Sequence, residues 1–267
     1  MKLSEVKERL RLSGIENADG ESLTLFRHFT SFPEYVLRLD DPDCTDEAFL
    51  TAVNRRQSRE PLQYILGECP FFKEVYAVSP AVLIPRADTE ILVEELVRAL
   101  PRRGRLLDLC TGSGCIALST LLHTEETEAV MVDLSSDALA VAAQNRECYR
   151  LRERATLLQM DILNSFPEGE FDIIASNPPY IPEEVYRTLE KEIFAEPKMA
   201  FVADEDGMIF YRRILEEGRS HLKSGGFFAF EIGYDQEEKI KALAKKLGLV
   251  AEVKYDLCQN PRVAIVR

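Results

Sequence analysis

Three stretches of this 267-residue sequence combine residue types and spacing suited to chemistry. The first is Asn177-Pro178-Pro179-Tyr180, which follows the apolar run Phe171–Ser176. A residue that precedes proline is pushed to an extended conformation, and proline itself donates no N–H. The loop therefore presents carbonyls and one amide side chain. The Asn177 side-chain oxygen and the Pro178 carbonyl can accept both hydrogens of a planar –NH2 group. Holding both hydrogens pulls that nitrogen toward tetrahedral geometry and frees its lone pair for an electrophile, which we read as a sulfonium methyl. Tyr180 can pack its ring against the flat acceptor. The second stretch, Asp108-Leu109-Cys110-Thr111-Gly112-Ser113-Gly114, leaves an apolar strand and opens a helix. Glycine lets a backbone approach a ligand closely, and a helix N-terminus offers unpaired N–H groups. The turn lacks the full G-x-G-x-x-G spacing. The third element is Asp133, which ends the next strand, where an acid can accept from both hydroxyls of a ribose. The turn and Asp133 together imply a nucleoside cofactor, NAD-like or S-adenosylmethionine-like. Asp161 and Ile162, after a third strand, stand where contacts to the base would come.

These residues need a scaffold that gathers strand ends. From residue 105 onward strand and helix alternate. The apolar pattern predicts strands at Arg105–Leu109, Ala129–Val132, Thr156–Met160, Phe171–Ser176, Gly226–Ile232, Val250–Leu257 and Val263–Val266. It predicts helices at Cys115–Leu122, Ser136–Arg146, Met208–Leu222 and Gln236–Leu247. Alternating βαβ units imply a parallel sheet covered on both faces. Only the short turn Cys258-Gln259-Asn260-Pro261 separates the last two strands, so they must pair antiparallel. The expected fold is an α/β, Rossmann-like seven-stranded sheet with an antiparallel last strand. Residues 1–67 read as a small helical domain, with Leu3, Val6 and Leu10 at helical spacing, a helix opened by Pro33, and a Thr45-Asp46-Glu47 cap before Phe49. Residues 68–84 read as a connecting β-hairpin broken by Ser79-Pro80, Thr89–Leu100 as an amphipathic helix, and 85–267 as the main domain.

Composition narrows the function. Lys and Arg total 33 against 46 Asp and Glu, giving a net charge of −13 and a pI near 4.9. That balance argues against affinity for bulk nucleic acid, where phosphate neutralisation supplies most of the attraction. No run approaches the ~20 apolar residues of a membrane span, and the charged start lacks the apolar stretch of a secretory signal. The six cysteines form no C-x-x-C pair and are expected to be free thiols in a reducing cytoplasm. With three histidines and no cluster at ligand spacing, no metal site is expected.

On these residues the sequence resembles the class I S-adenosylmethionine-dependent methyltransferases. Asn-Pro-Pro-Tyr after the fourth strand marks members that methylate planar nitrogens, either adenine in nucleic acid or glutamine amide in protein. Further stretches are similar to the release-factor glutamine N5-methyltransferases of the HemK type: Arg59–Gly67, Phe71-Phe72, Leu83–Glu90, Ser176–Ile181, Glu196-Pro197 and the tail Tyr255-Asp256 with Arg262-Val263. The resemblance implies methyl transfer from S-adenosyl-L-methionine to the glutamine of a Gly-Gly-Gln segment in peptide-chain release factors, by a cytoplasmic monomer that binds neither DNA nor membrane. It implies that Cys110, Thr111, Gly112, Ser113, Gly114, Asp133, Ile162 and Asn177 line the cofactor. Asn177, Pro178, Pro179 and Tyr180 would hold the glutamine, with Asn177, Pro178 and Tyr180 catalytic, and Arg86 and Thr89 would border the site. Read without the resemblance, Arg86 is a surface salt-bridge residue and Thr89 a helix cap. Cys110 replaces the usual first glycine of the turn, which suggests a backbone torsion open to a non-glycine residue. Ala87 replaces a common proline after Arg86. The main rival is an adenine-N6 nucleic-acid methyltransferase, which would need a basic face and a target-recognition region. An NAD-dependent oxidoreductase or a non-enzymatic nucleotide-binding scaffold would leave Asn177–Tyr180 without a task.

Overall fold

The computed structural model describes residues 1–267, which divide into two compact units. The first contains Met1–Glu68 together with Glu190–Ala195. Its helices are α1 (Leu3–Leu12), α2 (Ala18–Phe29), α3 (Glu34–Leu39), α4 (Glu47–Gln57) and α5 (Leu62–Leu66). Asn17 and Asp46 cap α2 and α4 by accepting from Gly20 N and Phe49 N, which satisfies donors the helices cannot use. Leu3, Val6 and Leu10 all face the core, as their spacing predicts, beside Leu25, Phe26, Phe49 and Val53. The Phe26 and Phe49 rings meet edge to face at 4.6 Å. Arg56 is buried against Glu21 at 2.5 Å, and Arg59 pairs with Glu192 at 2.6 Å.

The second unit contains Cys69–Leu189 and Glu196–Arg267. Its strands are β1 (Glu68–Phe71), β2 (Glu74–Ala77), β3 (Arg105–Leu109), β4 (Glu128–Asp133), β5 (Ala155–Gln159), β6 (Phe171–Ser176), β7 (Leu222–Glu231), β8 (Ala251–Tyr255) and β9 (Pro261–Val266). Its helices are α6 (Glu90–Ala99), α7 (Cys115–Leu122), α8 (Ser136–Cys148), the single turns α9 (Glu183–Tyr186) and α10 (Asp204–Gly207), α11 (Ile209–Gly218) and α12 (Glu237–Lys246). β1 and β2 form a separate hairpin, and the other seven strands form one sheet in the order β5-β4-β3-β6-β7-β9-β8. All neighbours are parallel except β9, which runs antiparallel to both β7 and β8.

Alternation along the central strands sorts side chains to two cores. Leu106, Ile173, Phe227 and Ala229 face one, while Leu107, Ile174, Phe228 and Phe230 face the other. Burial on both faces is why these strands read as nearly unbroken apolar runs. Chain order reverses between β3 and β6, which leaves a crevice at their carboxyl ends.

Some boundaries differ from the sequence reading. Val82 and Ile84 are nearly fully buried but belong to no strand. Their apolarity reflects burial, and hairpin pairing stops at Ala77. The helix expected to run to Leu222 ends at Gly218 and tightens into a 3₁₀ turn at Arg219–His221, because β7 begins at Leu222, which pairs with Phe171 before a bulge. No helix is long and apolar enough to cross a membrane, all six cysteines are free, and no group of three or more His, Cys, Asp or Glu side chains could hold a metal ion.

Asn145, in α8, ties the hairpin to the sheet. Its side chain accepts from Ala77 N at 2.7 Å and donates to the carbonyls of Ala77 at 3.0 Å and Ser113 at 2.9 Å. It is buried, so its loss strands backbone groups away from water. Asn145→Ala should destabilise the protein by about 2–4 kcal/mol, read as a lower urea midpoint.

Candidate active site

The crevice between β3 and β6 opens into a cavity of about 280 Å³. The turn after β3 forms its floor. Cys110, Gly112 and Gly114 all have positive φ, of +59°, +56° and +82°. The expected torsion open to a non-glycine residue is thus one in the left-handed region, which cysteine adopts only at a cost. A β-carbon in the left-handed region costs about 1 kcal/mol or more, and the surroundings hold it there. Thr111 N donates to the Val132 carbonyl at 2.9 Å, Gly114 N to the Thr111 carbonyl at 2.8 Å, and Ser176 Oγ to the Leu109 carbonyl at 2.6 Å. Burial pushes the Cys110 thiol far up, which disfavours the reactive thiolate. A β-carbon on Gly114 would meet the flexible tip of Met131 at 2.5 Å and would be strained at a φ of +82°; Gly114 is not in the cavity wall. A β-carbon on Gly112 would meet nothing within 4 Å, so its glycine keeps the cavity side open and meets the torsion.

Asp133 faces this turn across the sheet. Its Oδ2 accepts from Gly112 N and its Oδ1 from Ser135 N, both at 2.9 Å. Each oxygen keeps a further lone pair for a ligand. Burial raises the carboxyl above its ordinary value, against the pull of these amides. Asp161 accepts from Leu163 N at 3.0 Å and Asn164 Nδ2 at 2.6 Å, which shapes the loop that buries Ile162 in the wall.

β6 delivers the Asn177 loop to the same cavity. Asn177 and Pro179 line it, whereas Pro178 is buried and Tyr180 stands half-buried outside the lining. Tyr180 N donates to the Phe201 carbonyl at 3.1 Å. Of the other residues singled out in the sequence, Cys110, Thr111, Gly112, Ser113, Asp133, Ile162, Arg86 and Thr89 also line the cavity.

The connector 85–90 that carries Arg86 and Thr89 is fixed by charged groups. Arg86 pairs with Glu196, which is buried and also accepts from Ile84 N at 2.9 Å. Asp88 pairs with Arg262 at 3.0 Å. Glu90 accepts from Phe72 N at 2.8 Å. Thr89 stands at the N-terminus of α6, but its hydroxyl makes no capping bond; it donates to Glu231 at 2.5 Å. Both plain readings are thus half right: Arg86 does form a salt bridge and Thr89 does occupy the cap position, yet both face the cavity.

Sequence reasoning did not place Met199, Ala200, Val202 and Phe210, which form part of the wall. These lie in or just after a stretch without periodicity. Glu196-Pro197 was the one signal available there.

Asp108 lies beneath the turn and is fully buried. Its Oδ2 accepts from Thr111 Oγ1 at 2.5 Å, and its Oδ1 has no partner. Burial pushes the carboxyl from 3.8 up to about 7, with Asp133 adding to the rise. The folded state thus favours the neutral acid. The stabilisation this gives is complete below the unfolded value and is lost as pH rises through about 7. Asp108→Asn should flatten the decline of unfolding free energy across that window, by an upper bound of roughly 4 kcal/mol. Urea unfolding of both proteins across that pH range would read the difference; parallel profiles would assign Asp108 no part in it.

Two family models match the chain: the methyltransferase small domain over residues 86–210 and the PrmC N-terminal domain over residues 2–67. A release factor glutamine methyltransferase of Thermodesulfovibrio yellowstonii is 36% identical, covering 92% of this chain and 91% of its own. That of Salmonella typhimurium is 35% identical over 99% and 97%. Among solved structures, a methyltransferase from Pyrococcus furiosus shares the fold, with a TM-score of 0.52 at 22% identity over 72% of this chain and 86% of that one. The chain spans nearly the whole of relatives that are 35–36% identical to it, and it belongs to the release factor glutamine methyltransferase family.

Proposed function

We propose that this protein transfers a methyl group from S-adenosylmethionine to the side-chain amide nitrogen of the glutamine in the Gly-Gly-Gln segment of peptide-chain release factors, in the cytoplasm. The observation that carries the reading is the placement of Asn177 in the wall of the cavity whose floor is the glycine turn. The cavity residues fit the cofactor. Asp133 has lone pairs to spare for ribose hydroxyls, Gly112 leaves room for close approach, and Ile162 and Leu134 offer apolar walls to a base.

When bound, S-adenosylmethionine supplies a methyl group on a positively charged sulfur. The protein's part is orientation. Asn177 Oδ1 and the Pro178 carbonyl are the acceptors for the two amide hydrogens, in the loop that follows directly on β6. Preorganised acceptors of this kind act without reorganising during the reaction. Tyr180 flanks the acceptor plane. The amide proton is lost after transfer, so no strong base is required. A rigid loop at the sheet's edge also requires the glutamine to be delivered deep. Flanking glycines have no side chains to obstruct that approach.

Asn177→Ala should cut turnover on a release factor by about 10²–10³ and leave cofactor affinity nearly unchanged. Asp133→Ala should do the reverse, weakening S-adenosylmethionine by about 10–150-fold, the value of a charge-assisted hydrogen bond. Kinetics and calorimetry on the folded variants read both. Near-normal turnover in Asn177→Ala, or efficient methylation of adenine in duplex DNA, would overturn the reading.

Residues 1–67 carry no catalytic cluster, and we assign them to substrate recognition. α3 exposes Tyr35 and Leu39. Exchanging both for serine should raise KM for intact release factor severalfold without changing kcat; an unchanged KM would remove α3 from the recognition surface.

A further inference from the structure

Glu231 ends β7, directly after the apolar run Phe227–Phe230. It is 3% exposed. Burying a carboxyl costs free energy unless its oxygens are occupied. A residue needed only for packing at this position would be apolar, like Phe228 and Phe230. The carboxyl engages two hydroxyls. Thr89 Oγ1 donates to Oε2 at 2.5 Å, and the Tyr180 hydroxyl donates to Oε1 at 3.4 Å. Its main-chain carbonyl accepts from Tyr211 at 2.8 Å, which anchors the strand end. Burial raises the Glu231 carboxyl above its usual range, opposed by the Thr89 bond and by the charge of Arg262.

Tyr180 is otherwise held through its backbone. Its N–H is bound by Phe201, and its carbonyl accepts from Gln236 Nε2 at 3.3 Å. Those bonds fix the main chain, and the ring packs against the core beneath the sheet. The contact with Glu231 is what ties down the hydroxyl end of the ring. Thr89, on the opposite oxygen, lines the cavity directly. One carboxyl thus joins the connector before α6 to the loop after β6.

We propose that Glu231 is a positioning residue for methyl transfer: from a rigid strand end it holds the hydroxyls of Thr89, within the cavity lining, and of Tyr180, just outside it, and so fixes the Asn177 loop against the connector where the acceptor amide lies. The inference rests on the glutamine-methylation reading. The 3.4 Å contact is long, as positioning bonds often are before substrate tightens a site.

The test compares Glu231→Leu, Glu231→Gln, Tyr180→Phe and the Tyr180→Phe/Glu231→Leu double variant, measuring kcat and KM on a release factor and S-adenosylmethionine affinity by calorimetry. Leucine has similar bulk and no acceptor, and should lower kcat by roughly 10–100-fold, the scale of a small misplacement at a reacting centre. Cofactor affinity should not change. Glutamine can still accept from Tyr180, and should recover kcat to within about fivefold of wild type. Tyr180→Phe removes the same bond from the other end and should match Glu231→Leu, with no further loss in the double variant. If Glu231→Leu does not fold, Tyr180→Phe decides alone. Wild-type kcat in Tyr180→Phe, additive losses in the double variant, or a parallel fall in cofactor affinity would overturn the inference. Absence of methyl transfer by the wild-type protein would instead reject the parent reading, and this inference with it.

Discussion

The hydrogen bond from Ser176 Oγ to the Leu109 carbonyl, 2.6 Å long and buried, joins the last residues of two parallel strands at the point where the sheet reverses its order. The glycine turn and the Asn177 loop both begin immediately beyond it. Leu109 is followed by the left-handed Cys110 and the glycine turn; Ser176 is followed by Asn177 and the two prolines. The parallel register Leu109↔Ser176 therefore sets the distance between the floor, which suits a nucleoside, and the loop, which suits a planar amide. A shift of one residue would turn Asn177 to the other face of the sheet.

Around that junction the protein buries more charge than packing requires. Glu196 receives Arg86 and the Ile84 amide, Arg262 bridges Asp88 and Asp256, and Glu231 receives Thr89 and Tyr180. Buried carboxylates are costly in free energy relative to apolar residues. Their common feature is that each joins a different element to the connector 85–90 or to the Asn177 loop. Stability is given up where it fixes the walls of the cavity.

The sheet was legible in the sequence because its central strands are buried on both faces. Arg105–Leu109 and Phe171–Ser176 match their predicted bounds, and the antiparallel end follows from a connection too short for a crossover. The glycine turn, Asp133 and Asn177 were legible because they stand at predictable strand ends. What lay outside sequence reasoning depends on long-range contact. Val82 and Ile84 look like strand residues but are buried without pairing. Cys110 takes a glycine torsion because Ser176 and Val132 hold the chain on either side of it. The wall formed by Pro197 to Val202 has no periodicity to read. Glu231 did carry a signal, a carboxylate ending the apolar run Phe227–Phe230, but its partners Thr89 and Tyr180 are 142 and 51 residues away in sequence.

The central claim is that this junction presents one amide nitrogen, that of a glutamine flanked by glycines, to a methyl donor. It is tested most directly by tandem mass spectrometry of a release factor after incubation with the protein and S-adenosylmethionine, alongside the same release factor with the target glutamine changed to asparagine. The account predicts a single added methyl on the Gly-Gly-Gln glutamine and none on the asparagine form, whose amide falls short by one methylene. Methylation at another residue, or equal methylation of both forms, would contradict it.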